Sequence, residues 1–115
     1  MAQLLLTTAD GRTSLRAVLT PATSIGRGPL NHLMLDSPMA SRKHAILETN
    51  GPFCTLRDLG SKNGTYVNGT LIDQQVLAHN DTIGIGDCLF RFLATEHEDV
   101  SQEAVRLMSD RGALR

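Results

Sequence analysis

The residues best suited to chemistry in this chain are cationic and polar side chains gathered in three short segments. These are Gly26-Arg27, Ser41-Arg42-Lys43-His44 and the run DLGSKNGTYVNG from Asp58 to Gly69. Each segment lies where an apolar, strand-like run gives way to turn residues. Cationic groups, a hydroxyl, a carboxamide and free backbone amides suit a tetrahedral dianion, because they combine positive charge with several hydrogen-bond donors. The pattern therefore favours phosphate recognition and offers no obvious nucleophile.

The first two segments contain side chains with separable roles. Arg27 stands between Gly26 and Gly28, so a tight turn can hold its guanidinium outward for bidentate contact with phosphate. Ser41 offers a hydroxyl donor, and Arg42 adds charge. His44 has no partner typical of a catalytic triad and no nucleophile elbow accompanies it. We expect its imidazole to brace loop backbone, since the ring offers one donor and one acceptor.

The third segment contains more polar side chains than a plain hairpin turn requires. Asn63 tolerates left-handed backbone, and its carboxamide can either brace the loop or hold the backbone of a ligand. Thr65 can do the same through its hydroxyl. The glycine-rich phosphate loops of nucleotide-binding proteins are absent from the sequence, so a nucleotide cofactor is not expected.

Composition is that of a single globular domain. The chain has 115 residues, 41% hydrophobic and 20% charged, with a net charge of −1. Residues 27–64 hold five Lys or Arg against three Asp or Glu, an excess better suited to one phosphate than to a polyanion. We expect neither nucleic acid nor a membrane as partner. No N-terminal stretch resembles a signal peptide and no run approaches about 20 apolar residues, so the cytoplasm is the expected compartment.

Two cysteines, Cys54 and Cys88, lie within apolar runs. We interpret them as small buried hydrophobic residues, although a disulfide between them stays open. Their number and spacing do not suit a metal centre, and none is expected.

Short apolar runs separated by turn residues recur along the chain. This rhythm predicts an all-β sandwich or barrel. Phe90 and Phe92 are expected on one face of the last strand, with Arg91 on the other. The predicted strands are roughly Gln3–Thr8, Thr13–Leu19, Thr23–Ile25, Leu33–Leu35, Lys43–Thr49, Phe53–Asp58, Thr65–Val67, Thr82–Ile85 and Cys88–Leu93.

The last residues follow a different pattern. Val100, Ala104, Leu107 and Met108 recur at helical spacing. We therefore expect a domain over 1–95 and a short helix, or a linker, over 96–115. Such a helix either packs on the sandwich, frays, or contacts a partner.

The order GR…SRKHA…DLGSKNGTYVNG…DTIGIG…FRF resembles the forkhead-associated (FHA) domain over roughly residues 3–93. The resemblance implies a SMAD/FHA-like β-sandwich of about eleven strands that binds phosphothreonine peptides on its apical loops. It assigns phosphate contacts to Arg27, Ser41, Arg42 and Lys62, and the peptide backbone contact to Asn63. It assigns loop architecture to Gly26, His44, Gly64, Thr65, Asn68 and Gly69.

Three positions mark individual features of this chain within the resemblance. His32 replaces the acidic or small residue common at its position, and Asn80 replaces a common glycine. Neither lies at the inferred phosphate. Met39 falls in a loop that touches residues C-terminal to the phosphothreonine in this family, which suggests an apolar preference there.

The function implied by the resemblance is a phospho-dependent adaptor in Ser/Thr kinase signalling. Its partners would be a phosphothreonine-containing protein and the upstream Ser/Thr protein kinase, with no cofactor. One alternative is an FHA-fold scaffold that acts by phospho-independent contact or self-association. An enzyme built on His44 is the other alternative, but the chain lacks a plausible acid–base pair for it.

Overall fold

A computed structural model describes residues 2–8, 10–18 and 21–94 of the chain. Eleven strands run through this part, as the resemblance implied. The expected C-terminal helix over 96–115 lies outside the described residues. The strands are β1 (Ala2–Thr7), β2 (Thr13–Ala17), β3 (Ala22–Gly26), β4 (Leu33–Met34), β5 (Ala45–Asn50), β6 (Phe53–Asp58), β7 (Thr65–Val67), β8 (Thr70–Ile72), β9 (Gln74–Val76), β10 (Thr82–Ile85) and β11 (Cys88–Ala94).

The strands form two sheets that enclose one core. The six-stranded sheet has the order β2-β1-β11-β10-β7-β8, and the five-stranded sheet has the order β4-β3-β5-β6-β9. Side chains alternate between core and surface along the strands, as in a sandwich. Phe90 and Phe92 are buried while Arg91 is exposed, which confirms the predicted alternation of β11. Cys54 and Cys88 are buried and are not joined to each other, so the disulfide left open by the sequence is not formed.

Two strands, β8 and β9, escaped prediction from spacing alone. Both are three residues long, and most of their residues are exposed, so neither shows a clear apolar alternation. The turn before β8 is a hairpin signal that the sequence did contain. Asn68 and Gly69 have φ values of 52° and 83°, which suit a two-residue hairpin turn. β9 is held by its ladder to β6, a long-range pairing that local patterns do not report.

Strand register brings the three chemistry-bearing segments to one end of the sandwich. Ile25 near the end of β3 pairs with Ala45 at the start of β5, and Ala45 pairs with Asp58 at the end of β6. The connections 27–32, 35–44 and 59–64 therefore emerge side by side. They are called the first, second and third loops below. Loops at one end of a rigid sandwich are a common location for a binding site.

Candidate functional site

An open depression of about 420 Å³ lies at this end of the sandwich. It contains all five side chains for which the sequence predicts ligand contacts, although they come from three separate loops. Its lining consists of Arg27, Pro38, Met39, Ala40, Ser41, Arg42, Lys62 and Asn63.

Arg27 is positioned by its own backbone and by one of its side-chain nitrogens. Its amide donates to the Ser41 carbonyl at 2.9 Å, and its Nε donates to the Ala40 carbonyl at 3.0 Å. The Nε bond orients the guanidinium and leaves both terminal nitrogens for a ligand. Because the side chain itself is exposed, an anion can reach it without rearrangement of the core.

Behind Arg27, the chain at Gly26 lies very close to the second loop at Arg42. A Cβ added at Gly26 would lie 2.4 Å from the Arg42 carbonyl oxygen, so only glycine permits this contact. Asn31 strengthens the same junction, because its Nδ2 donates to the carbonyls of Gly28 at 2.8 Å and of Arg42 at 2.7 Å. Sequence reasoning assigned no role to Asn31. The position of Asn31 in the loop after Gly28 was the one signal available for a bracing role. Its second acceptor, the Arg42 carbonyl, is 11 residues away in the sequence.

Ser41 connects the second loop to the third. Its Oγ accepts a hydrogen bond from the Lys62 amide at 3.0 Å. A hydroxyl that accepts one bond still has its hydrogen to donate. Ser41 is half-buried at the floor of the depression, so that hydrogen is available to a bound anion.

His44 is fully buried beneath the depression and braces two loops. Its Nδ1 accepts from the Ser41 amide at 3.0 Å, so the hydrogen lies on Nε2, which donates to the Gly64 carbonyl at 2.8 Å. Both ring nitrogens are engaged with backbone. Neither is free to move a proton for a substrate.

Asn63 combines bracing with a free acceptor. Its Nδ2 donates to the Met39 carbonyl at 2.8 Å, which ties the third loop to the second. The carboxamide oxygen remains for a backbone N–H of a ligand. The two uses that the sequence left open are therefore compatible in this geometry.

Asp58 organises the third loop, and sequence analysis gave it no role beyond opening the motif. Its carboxylate accepts from the Thr65 hydroxyl at 2.7 Å, the Ser61 hydroxyl at 2.5 Å, and the amides of Gly60 and Ser61 at 3.0 Å each. Burial raises the pKa of Asp58, but the hydroxyl and amide hydrogen bonds outweigh it and hold the pKa below its ordinary value. An aspartate two or three residues before a Gly-Ser pair was a usable turn signal.

The remaining architectural residues divide into two groups. Gly64 and Thr65 belong to the site's framework, since the Thr65 hydroxyl is bonded to Asp58 and the Gly64 carbonyl to His44. Asn68 instead faces Asp81 and Thr82, donating at 3.0 Å to the former and accepting at 3.0 Å from the latter's amide. Asn68 and Gly69 therefore shape the β7–β8 turn and do not line the depression.

The two unusual residues lie away from the depression. Asn80 has a φ of 76°, a backbone conformation that asparagine tolerates better than most residues, which explains how it replaces glycine. His32 Nδ1 accepts from the Ser24 amide at 3.0 Å and joins the β3–β4 loop to β3.

The depression has a net positive charge. Arg27, Arg42 and Lys62 are exposed at its rim, and none of its lining residues is acidic. The ion pairs found in the described ranges, Arg12–Asp10 and Arg57–Glu48, involve no lining residue. Positive charge without an internal counterion favours an anionic ligand.

The described residues form neither a cluster of metal ligands nor a membrane-spanning helix. Across residues 2–8, 10–18 and 21–94, no group of three or more His, Cys, Asp or Glu side chains converges as metal ligands would. Within those ranges there is also no helix with the length and apolar character needed to cross a bilayer.

Comparison with known proteins relates this chain to the FHA domain family in both sequence and structure. A model of the FHA domain family matches residues 23–86. The glycogen accumulation regulator GarA of Mycolicibacterium smegmatis is 41% identical over 81 residues, which cover 70% of this chain and 51% of GarA. The oxoglutarate dehydrogenase inhibitor of Corynebacterium efficiens is 42% identical over 74 residues, covering 64% of this chain and 52% of the inhibitor. The chain thus spans about half the length of these relatives.

Solved structures extend the similarity to the whole sandwich. A structure from a study of phosphothreonine-dependent FHA domain interactions superposes with a TM-score of 0.72 at 30% identity, covering 80% of this chain and 94% of that one. Mycobacterium tuberculosis EmbR, solved with a low-affinity phosphopeptide, gives a TM-score of 0.72 at 34% identity over 81% of this chain and 24% of EmbR.

Proposed function

The chain belongs to the FHA domain family, and on this premise we propose that it reads phosphothreonine in a partner protein through the depression at the end of its sandwich. The observation that carries the proposal is the convergence of Arg27, Ser41 and Asn63, from three loops, on one positively charged surface. Arg27 and Ser41 would contact the phosphate, while Asn63 would hold the adjacent peptide backbone.

The contacts that the depression offers to a phosphate are sufficient for micromolar affinity. A phosphothreonine carries about −1.5 to −2 charges near neutral pH. The terminal nitrogens of Arg27 and the Ser41 hydroxyl donate to it, and Arg42 and Lys62 add charge from the rim. Charge-assisted hydrogen bonds contribute about 1.5–3 kcal/mol each. Two or three of them, together with backbone contacts through Asn63, are enough for micromolar binding, about −8 kcal/mol.

The biological role that follows is a phospho-dependent adaptor in Ser/Thr kinase signalling, with no catalytic step of its own. The partners are a phosphothreonine-containing protein and the kinase that modifies it. The names of the two relatives describe a regulator and an inhibitor, which supports regulation by binding. Because kinases that use ATP act inside the cell, we place the protein in the cytoplasm, without nucleic acid or membrane as partner.

Met39 is the best candidate for selectivity outside the phosphate. Half of this side chain is exposed at the edge of the depression, and its carbonyl is bonded to Asn63. An apolar residue of the ligand, C-terminal to the phosphothreonine, would pack against it. A peptide array that varies this position should show apolar enrichment, and the enrichment should disappear in Met39→Ser.

The decisive experiment is calorimetric titration with a degenerate phosphothreonine peptide pool, alongside its phosphoserine and unphosphorylated versions. We expect binding to the phosphothreonine pool, weaker or no binding to the phosphoserine pool, and none to the unphosphorylated pool. Arg27→Ala should abolish the signal. Arg57→Ala is the matched control, because Arg57 pairs with Glu48 and lines no part of the depression. Equal binding to all three pools would refute the proposal and favour a phospho-independent scaffold.

A further inference from the structure

The outer face of the six-stranded sheet carries an apolar row, in two offset parts, that the proposed site does not use. Leu15 lies opposite Leu5, and Leu89, Gly84, Tyr66 and Leu71 lie opposite one another in turn. The two parts are offset by two residues between β1 and β11, where Leu5 lies opposite Arg91 and Thr7 opposite Leu89. Leu15, Leu71 and Leu89 are 54%, 61% and 52% exposed. In order from β2 to β8, this apolar row consists of Leu15, Leu5, Leu89, Gly84, Tyr66 and Leu71.

The surface of the apolar row is indented near its middle. Leu5, Leu89 and neighbouring residues of β1, β10 and β11 line a shallow depression of about 130 Å³. Gly84 leaves a notch beside it, since an added Cβ would reach only ordinary contact with Tyr66 at 3.6 Å and Leu89 at 3.8 Å. Arg91 is the one charged side chain that the described strands place on this face. A cluster of exposed apolar side chains rimmed by polar residues is a common feature of interaction sites.

The chain itself supplies an apolar segment long enough to reach this surface. It leaves the sheet at Ala94, at the end of β11, and β11 is flanked in the sheet by β1 and β10. Residues 95–115 follow, and Val100, Ala104, Leu107 and Met108 recur there at helical spacing. A helix over 99–110 would extend about 17 Å at 1.5 Å per residue. The strand distance from Ala94 back to Leu89 is also about 17 Å at 3.3 Å per residue.

Charge is complementary as well. Residues 96–115 contain five acidic residues against three basic ones, opposite in sign to Arg91. We propose that residues 95–115 reverse direction after β11 and dock as an amphipathic helix on the apolar row, with the Val100–Met108 face directed at Leu89 and the Gly84 notch. This docking does not depend on phosphopeptide binding, because the apolar row lies outside the depression formed by the loops.

Paramagnetic relaxation enhancement in the full chain tests the proposal. A nitroxide attached at Ser109→Cys would lie opposite the Val100–Met108 face, so the label should not disturb docking. Cys54 and Cys88 are buried, and a sample without Ser109→Cys, treated identically, corrects for labelling at those positions. We expect strong broadening of the amides of Gly84 and Leu89, and none at Thr55 and Val76 on the other sheet.

Variants separate docking from other causes of broadening. Leu107→Asp changes only the tail and should abolish the effect with the domain intact. Leu89→Thr keeps β propensity but removes the apolar side chain, and should also weaken it. Phe53→Thr is the control, because Phe53 is 61% exposed on the five-stranded sheet. Broadening that is absent, equal on both sheets, or transferred to an unlabelled copy in a mixed sample would overturn intramolecular docking.

Discussion

The hydroxyl oxygen of Ser41 accepts a hydrogen bond from the backbone amide of Lys62 at 3.0 Å. This contact ties the second loop to the third and leaves the hydroxyl hydrogen free to donate. One side chain thus joins two loops and has the phosphate contact proposed above, so its removal should affect both.

Ser41→Ala should weaken phosphothreonine peptide binding by about tenfold, because one hydrogen bond to a charged group and one loop contact are lost together. Titration with a peptide selected from the degenerate pool measures the effect. Ser14→Ala, on β2, serves as control and should leave affinity unchanged. Unchanged affinity in Ser41→Ala would remove this residue from the phosphate site.

Arg27→Lys should lose at least tenfold in peptide affinity although the charge is kept. Lysine cannot form the forked contact with phosphate, nor maintain the Nε bond to the Ala40 carbonyl. The same titration measures the effect, with Arg57→Lys as the matched exchange outside the depression. If Arg27→Lys bound as tightly as the parent, charge alone would explain the role of Arg27.

Gly26→Ala should destabilise the fold by about 2–4 kcal/mol, because the new methyl group would overlap the Arg42 carbonyl and force backbone shifts. Urea unfolding monitored by circular dichroism measures the loss. Gly84→Ala is the matched control, since the nearest atom to an added Cβ there is 3.6 Å away. Equal midpoints for the two variants would show that the two loops separate at little cost.

His44→Ala should lower the free energy of unfolding by about 2–5 kcal/mol. The substitution leaves the Ser41 amide and the Gly64 carbonyl without their partner and opens a cavity beneath the site. Peptide affinity should fall as well, because both loops lose their brace. Urea unfolding and titration of the same sample measure the two effects. A variant as stable as the parent would contradict the bracing role.

Asp58→Asn should reduce stability at neutral pH by about 1–3 kcal/mol. The side-chain NH2 group of asparagine is a donor, and it would face hydroxyl or amide donors that now bind the carboxylate. The pKa of Asp58 lies below its ordinary value in the folded protein. Its carboxylate therefore stabilises the fold above the unfolded-state pKa, and this contribution is lost as the pH falls through the folded-state pKa.

The parent should consequently lose more stability in acid than Asp58→Asn does. Urea midpoints across the acid range measure the difference, with Asp73→Asn, on an exposed side chain, as control. Parallel acid curves for the parent and Asp58→Asn would show that Asp58 does not contribute to acid unfolding.

Much of the fold could be predicted because its signals are local. Alternating apolar residues, as at Phe90 and Phe92, report a half-buried strand, and Asn-Gly or Asp-Gly pairs report turns. Arg27 and Asn63 could be proposed as ligand contacts because arginine between glycines and an Asn-Gly loop carry a distinct chemistry, whereas Lys62 was proposed only through the family resemblance. The exposed strands β8 and β9 were not, since they bury too few side chains to leave a pattern.

The sequence by itself determined the composition of the binding loops and the type of fold that presents them. Only the tertiary structure decided how the loops are joined: His44 to Gly64, Ser41 to Lys62, and Asn31 to Arg42. These bonds connect residues 11 to 21 positions apart, through backbone groups that every residue carries. Because a backbone amide or carbonyl leaves no signature in the sequence, such partners become visible only when the sandwich brings the loops together.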